Sequence, residues 1–198
     1  MKYSFTVILY LLVSPAFGQV TENYLEGYVV LLNGDTLRGK VMDRDVSAFG
    51  GLLKKIRFKP HKGWKKRYKP GEIKAYHRGE DNFLSIWLSS ESRFFRQDFY
   101  SRPGQGEQVF IKIMHQGSID LYHWEYTDED NSTVDFIPLL KKPEAAEMVR
   151  ATQGILGLKR KRLAEYFSDC PRLSSALLNK EITTVNEVIM IYESACLD

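Results

Sequence analysis

The chain has 198 residues, of which 43% are hydrophobic and 13% aromatic, and its formal net charge is +3 at pH 7. This composition is sufficient for a packed core and does not favour an intrinsically disordered chain. Because the net charge is close to zero, it does not indicate nucleic acid or any other charged partner, and only the distribution of charge along the chain is informative.

Residues 1–18 have the pattern of a signal peptide. Lys2 precedes the apolar run 5–13, which is shorter than the roughly 20 residues that a membrane-spanning helix requires. Small residues at positions 16 and 18 then predict cleavage before Gln19. We therefore expect an exported chain, secreted or periplasmic, with no transmembrane segment in its mature form. The alternatives are a buried N-terminal strand or an uncleaved anchor.

The stretch 25–42 predicts a β-hairpin near the start of the mature chain. Asn33-Gly34 separates two apolar-rich runs, and this dipeptide is a strong hairpin signal because both residues tolerate a positive φ. After the turn, the odd-numbered residues from Leu37 to Val41 are expected to face the core, with basic residues between them facing solvent. Gly27 and Gly39 are expected where another backbone approaches closely or a bulge occurs.

Short alternating runs separated by Gly, Pro, Asn and Asp continue to about Pro138. They predict nine or ten strands in an antiparallel sheet over 19–138, either closed as a barrel or stacked as a sandwich. The order of the strands stays open. The predicted fold class is α+β, with this antiparallel β-rich body followed by a C-terminal helical tail over 139–198.

The periodicity of the tail is helical. We predict helices over 143–153 and 158–168, and a third that begins at Pro171 and ends near Asn179. Thr184 and Glu187 match a capping box that opens a last helix. The last two helices are expected to form an αα-hairpin.

The two cysteines, Cys170 and Cys196, fall at the same end of that predicted hairpin. An exported chain with an even number of cysteines favours a disulfide. We therefore predict a structural bond between them whose reduction loosens the tail and leaves the β-rich body folded. The rival interpretation is a redox or nucleophilic cysteine, but there is no CxxC motif and no histidine near either residue in sequence.

The segment 54–69 is the strongest candidate for a binding site because it has nine basic residues and no acidic one. Phe58, Trp64 and Tyr68 are interleaved with the charges. A basic hairpin with aromatic residues could bind an anionic glycan, lipid headgroups, nucleic acid or another polyanion. The alternative is a solvated hairpin edge, where lysines discourage pairing with another sheet. The candidate polyanion-binding residues are Lys54, Lys55, Arg57, Lys59, Lys62, Trp64, Lys65, Lys66, Arg67 and Lys69.

The remaining patterns do not predict catalysis or a cofactor. A second basic run at 159–162 is expected on the exposed face of its helix, and the acidic run 128–130 is expected to form a polar turn. His115 and His123 flank a predicted turn and could face each other, but no histidine has close metal-ligand spacing. Among catalytic and nucleotide-binding motifs, GxSxG, the P-loop and GxGxxG do not occur. We expect no metal or cofactor.

Several motifs resemble a group of uncharacterised exported proteins of the Bacteroidota. The resembling stretches are GYVVLLNGDTLRGKV, YKPGEIKAY, LAEYFSDCPRLSSALLNKEI and IYESACLD. The group shares an N-terminal GDT hairpin and a C-terminal helix pair that contains cysteine. Gly34, Asp35, Thr36 and Gly39 match the hairpin, and Cys170, Pro171 and Cys196 match the tail. The resemblance implies export and this architecture, and it brings no activity.

The leading hypothesis is an exported non-catalytic binding or envelope-associated protein, because a basic aromatic hairpin is present and no catalytic signature accompanies it. The first alternative is a hydrolase-type enzyme whose acid/base pair is assembled only in space. The second is a structural subunit of an envelope assembly, which a contiguous exposed apolar patch would favour.

Overall fold

The fold is described by a computed structural model for residues 23–46, 52, 54–94, 96–127 and 133–196. The predicted signal peptide over 1–18 and the predicted polar turn at 128–130 lie outside the described residues. Within these ranges, no helix is both long enough and apolar enough to cross a membrane.

The described chain is dominated by strands, which make up 49% of it and precede the three α-helices. The strands are β1 (Leu25–Leu31), β2 (Thr36–Met42), β3 (Ile56–Pro60), β4 (Lys66–Tyr68), β5 (Ile73–Arg78), β6 (Asp81–Arg93), β7 (Arg96–Tyr100), β8 (Glu107–His115), β9 (Asp120–Thr127), β10 (Val134–Lys141) and β11 (Glu147–Arg150). The helices are α1 (Arg160–Tyr166), α2 (Pro171–Leu178) and α3 (Val185–Ala195).

Six of the strands close into an antiparallel barrel. Their order is β6-β7-β11-β10-β9-β8, and the pairing of β6 with β8 completes the circle. Strand β6 makes closure feasible because it is 13 residues long: residues 82–88 pair with β8, and residues 89–93 pair with β7. The predicted α+β class with an antiparallel β-rich body is confirmed, in the barrel form.

The other five strands extend from the barrel as a sheet in the order β5-β1-β2-β3-β4, so β4 forms its free edge. The predicted hairpin is present, with Gly27 opposite Gly39. Both glycines lie where another backbone approaches: a Cβ at Gly27 would lie 2.0 Å from the His77 carbonyl oxygen, and one at Gly39 would lie 2.3 Å from that of Lys59. The predicted close approach is therefore confirmed at both positions.

The buried residues form three clusters because several barrel strands bury both faces. Inside the barrel, Tyr122, Leu139 and Met148 belong to one cluster. Their sequence neighbours Leu121, Leu140 and Val149 point outward, into a second cluster shared with the helices. The third cluster lies beneath the extended sheet, which covers the outer face of β6 and β8. It contains Val29, Val41, Ile56, Phe58, Ile73, Tyr76, Phe83 and Phe110.

The helix predicted over 143–153 is wrong. Strand β10 continues to Lys141, and β11 then pairs with both β10 and β7. Met148 and Val149 are buried on opposite sides of β11, as period-two alternation requires. Barrel closure and burial therefore override the helix-forming tendency of these residues, and the first helix begins only at Arg160.

The start of α2, the cap of α3 and the disulfide are as predicted. Pro171 is the first residue of α2, and the side chains of Thr184 and Glu187 form the predicted capping box of α3. Cys170 and Cys196 are bonded, with 5.4 Å between their Cα atoms. The three helices pack on the outer face of β9, β10 and β11, so they share a core with the barrel.

Candidate polyanion-binding face

The strand register places basic side chains on the solvent face of the extended sheet. In β3, Ile56 and Phe58 are fully buried, so Arg57 and Lys59 point away from the core. Lys59 lies opposite Lys40 of β2, and Arg57 lies opposite Arg67 of β4. The cations on this surface, which we call the basic face, are Arg38, Lys40, Lys55, Arg57, Lys59 and Arg67.

Few carboxylates neutralise the basic face. Glu26 of β1 lies 3.4 Å from Lys40, and both side chains are more than half exposed. Among the described residues, no carboxylate lies within ion-pair distance of Lys55, Arg57, Lys59 or Arg67. Neighbouring strands lie about 4.8 Å apart, and residues i and i+2 of one strand about 6.6 Å apart, so these cations form a grid.

A shallow depression of about 210 Å³ lies where the charges are densest. The side chains that line it are Lys54, Lys55, Arg57 and Arg67. Every lining residue that the structure describes is basic, and Arg57 is oriented there by its hydrogen bond to the Met42 sulfur at 3.8 Å. An anionic group seated in this depression would be attracted by several cations at once.

The aromatic residues of the predicted site separate into two groups. Phe58 is fully buried and packs beside Tyr68 in the core beneath the sheet, so neither forms part of the basic face. Trp64, in the turn between β3 and β4, is 89% exposed. Tyr28 adds an aromatic surface from β1: its ring stacks on His77 at 5.0 Å, and the Arg38 guanidinium lies 5.9 Å from its centroid.

The other predicted cations are not part of the basic face itself. Lys54 lines the depression, but its ammonium pairs with Glu107 of β8, and Lys65 lies 5.4 Å from the ring centroid of Tyr24. Lys66 lies opposite Phe58 on the edge strand β4, so its side chain is on the same face of the sheet as the core and not on the basic face. Lys62 is exposed in the turn. The backbone N–H of Lys69 donates to the Glu72 carboxylate at 2.8 Å and caps the short helix Pro70–Glu72.

The basic residues of 54–69 predicted a site within that segment alone, which does not include Arg38 and Lys40. The alternation in β2 had already indicated that both point to solvent. What joins them to the site is the pairing of β2 with β3, which is a long-range contact that no local pattern encodes.

The second basic run does not lie simply on an exposed helix face, as the sequence predicted. Lys161 is exposed, but the Arg162 side chain is only 16% exposed and pairs with Asp98 and Glu147. Arg160 donates a hydrogen bond to the Ile182 carbonyl. Because α1 has barrel strands on one side and the segment before α3 on the other, most of its surface is enclosed.

A partly buried charge cluster joins the extended sheet to the barrel. Arg44, which follows β2, pairs with Asp43 at 3.2 Å and with Glu125 of β9, and it also donates to the Phe110 carbonyl at 3.4 Å. The Tyr76 hydroxyl donates to Asp43. Burial raises the pKa of Glu125, although the nearby Arg44 opposes that shift. The single cation Arg44 is shared by the two carboxylates, and every member of the cluster contacts another, which is typical of a structural ion-pair network.

The histidines do not meet. Lys112, rather than His115, lies opposite His123 across the β8–β9 hairpin. His115 lies 2.9 Å from Glu193 of α3, and His123 stacks on Phe136 with 3.9 Å between ring centroids. Burial, together with the positive charge of Lys112, lowers the pKa of His123. Across the described ranges, no group of three or more His, Cys, Asp and Glu residues is arranged to hold a metal ion.

No protein family, curated protein or solved structure is detectably similar to this chain.

Proposed function

We propose that the protein is an exported, non-catalytic binding protein that holds an anionic polysaccharide on its basic face. The observation that carries the proposal is the grid of cations on three adjacent strands with Glu26 as its paired carboxylate. A flat grid suits a linear polymer whose charged groups recur along its length. Trp64 at the rim offers an exposed ring on which a sugar can stack.

Two observations support export. The pattern of residues 1–18 is that of a signal peptide, and the bonded cysteines are typical of oxidising compartments. The same compartment contains anionic surface polysaccharides more commonly than nucleic acid. An envelope association through such a polymer is consistent with the resemblance to exported proteins of the Bacteroidota.

Charge reversal on the basic face tests the proposal. We expect Arg57→Glu/Lys59→Glu/Arg67→Glu to weaken heparin binding at least tenfold, or about 1.4 kcal/mol, because attraction is replaced by repulsion. Binding by the unaltered protein should fall steeply as salt rises, since counterions are released from the polymer. Isothermal titration calorimetry over a series of salt concentrations gives both quantities.

The matched control changes the net charge equally at exposed cations far from the basic face, as Arg102→Glu/Arg172→Glu/Lys180→Glu. The control should retain most of the affinity. Equal losses in the two triple variants would show that only net charge matters and would contradict a defined site. Titration with anionic vesicles and with single-stranded oligonucleotides then establishes whether a lipid surface or nucleic acid binds more tightly than the polysaccharide.

A further inference from the structure

A cleft rich in basic side chains lies away from the basic face, between the barrel and the start of α1. It has a volume of about 610 Å³ and is bounded by β7, β11, the short helix Gly154–Leu156 and residues 158–165. We call it the α1 cleft. Six basic and two acidic side chains line it.

The acidic side chains are already engaged on one side of the α1 cleft. The Asp98 side chain is 6% exposed, and its Oδ1 accepts hydrogen bonds from Arg96 Nε at 2.7 Å and from Arg162 Nη2 at 3.3 Å. Glu165 lies 3.4 Å from Arg96 and 3.3 Å from Arg162. These contacts fix the orientations of the two arginines, which are thus pre-organised before any ligand arrives.

The other side of the α1 cleft holds positive charge that the described protein does not neutralise. Arg150 and Lys159 are half-buried, yet no carboxylate among the described residues lies within ion-pair distance of either. The Arg150 Nε donates to the Thr152 carbonyl at 2.8 Å, which leaves its terminal nitrogens available. Burial lowers the pKa of Lys159, and the nearby charge of Arg150 lowers it further, whereas Asp98 opposes the shift in part. A bound anion would relieve this repulsion.

The walls of the α1 cleft are apolar next to these charges. Val149 and Leu158 are buried in the floor, whereas the Leu156 side chain is 74% exposed at the rim. A ligand that touched only the cations would leave this surface in water. A ligand with a compact apolar body would cover it and gain hydrophobic stabilisation.

We propose that the α1 cleft binds a small organic phosphate or sulfate ester, with its oxyanion between Arg150 and Lys159 and its organic body against Leu156 and Leu158. A tetrahedral oxyanion fits better than a carboxylate because the two cations come from different elements, Arg150 from β11 and Lys159 from the residue before α1. Three peripheral oxygens can meet donors from several directions, whereas a carboxylate presents two in one plane. This site is independent of the polysaccharide site on the basic face.

Calorimetric titration of the full chain with phenyl phosphate and phenyl sulfate tests the proposal. We expect at least one ester to bind, and Lys159→Gln and Arg150→Gln each to weaken its binding about tenfold, because each removes a charged hydrogen-bond donor. Lys180→Gln, at an exposed position outside the cleft, should leave binding unchanged. The stronger ester identifies phosphate or sulfate as the preferred group.

A second variant separates the two parts of the proposal. Leu156→Ala should weaken the binding of phenyl phosphate more than that of inorganic phosphate, because only the ester has an organic body that contacts Leu156. Ester binding should be retained in Arg57→Glu/Lys59→Glu/Arg67→Glu, which changes only the basic face, so failure here is distinguishable from failure of the proposed function. The proposal is overturned if neither ester produces heat of binding, or if both glutamine variants bind the esters as tightly as the unaltered protein.

Discussion

Replacement of Arg44 by methionine is expected to lower the free energy of unfolding by about 3 to 5 kcal/mol, because it leaves two partly buried carboxylates without their cation. The Arg44 side chain is only 6% exposed, and those of its partners Asp43 and Glu125 are 21% and 18% exposed. The guanidinium also lies 5.5 Å from the ring centroid of Phe83 and 5.8 Å from that of Phe110. Arg44→Met should therefore loosen the extended sheet from the barrel.

Urea unfolding gives this energy, with Arg93→Met as the control because Arg93 forms an exposed pair with Glu91. Arg93→Met should lower the free energy of unfolding by about 0.5 kcal/mol or less. The double variant Arg44→Met/Glu125→Leu should be more stable than Arg44→Met, since it removes an unpaired buried charge. A double variant that is less stable than the single one would contradict the assignment of Glu125 as a stabilising partner of Arg44.

The stability that is lost in Arg44→Met should also depend on pH. Burial already raises the pKa of Glu125 in the folded protein, and removal of Arg44 raises it further. Because the folded state then binds a proton more readily than the unfolded state, stability falls as pH rises through the interval above the ordinary carboxyl pKa. The free energy of unfolding that Arg44→Met loses relative to the unaltered protein should therefore be smaller near pH 5 than near pH 8.

Removal of the disulfide is the second large effect, with an expected cost of about 2 to 4 kcal/mol. The bond closes a loop with a sequence separation of 26, for which the chain-entropy model gives about 3.5 kcal/mol. Cys170 is also 2% exposed within the cluster that joins the helices to the barrel. Cys170→Ala/Cys196→Ala therefore removes buried atoms as well as the cross-link.

The core that the helices share with the barrel determines how the loss of stability appears in urea unfolding. Because the helices cover Leu121, Leu140 and Val149, loosening them exposes the outer face of the barrel. We expect the double variant to unfold in urea with a lower midpoint, and reduction of the unaltered protein to give a similar shift. An unchanged midpoint in both would refute a stabilising role, and a separate early transition for the helices would indicate that the body remains folded without them.

Local sequence patterns predicted the parts of the fold that local interactions determine. The β1–β2 hairpin, the capping box of α3 and the disulfide at one end of the last two helices all follow from turn chemistry, capping and spacing. Strand β11 could not be predicted, because its residues favour a helix until β7 and β10 flank them on both sides. The barrel closes through pairings between distant strands, which no window of sequence contains.

The candidate site was predictable in the same limited sense. The density of lysine and arginine in 54–69 indicated a basic surface, and alternation selected Arg57 and Lys59 as outward-facing. The interleaved aromatic pattern was misleading, since Phe58 and Tyr68 serve the core. Arg150 and Lys159 meet in the α1 cleft only because β11 is a strand, so the incorrect helix prediction concealed that site.

The most direct test of polysaccharide binding by the basic face is lysine footprinting. The protein is acetylated under limiting conditions with and without heparin, and modification at each lysine is quantified by mass spectrometry. We predict strong protection of Lys40, Lys55 and Lys59, with Lys180 unaffected as an internal control. Protection that is uniform over all lysines, or confined to positions outside the basic face, would contradict polysaccharide binding by the basic face.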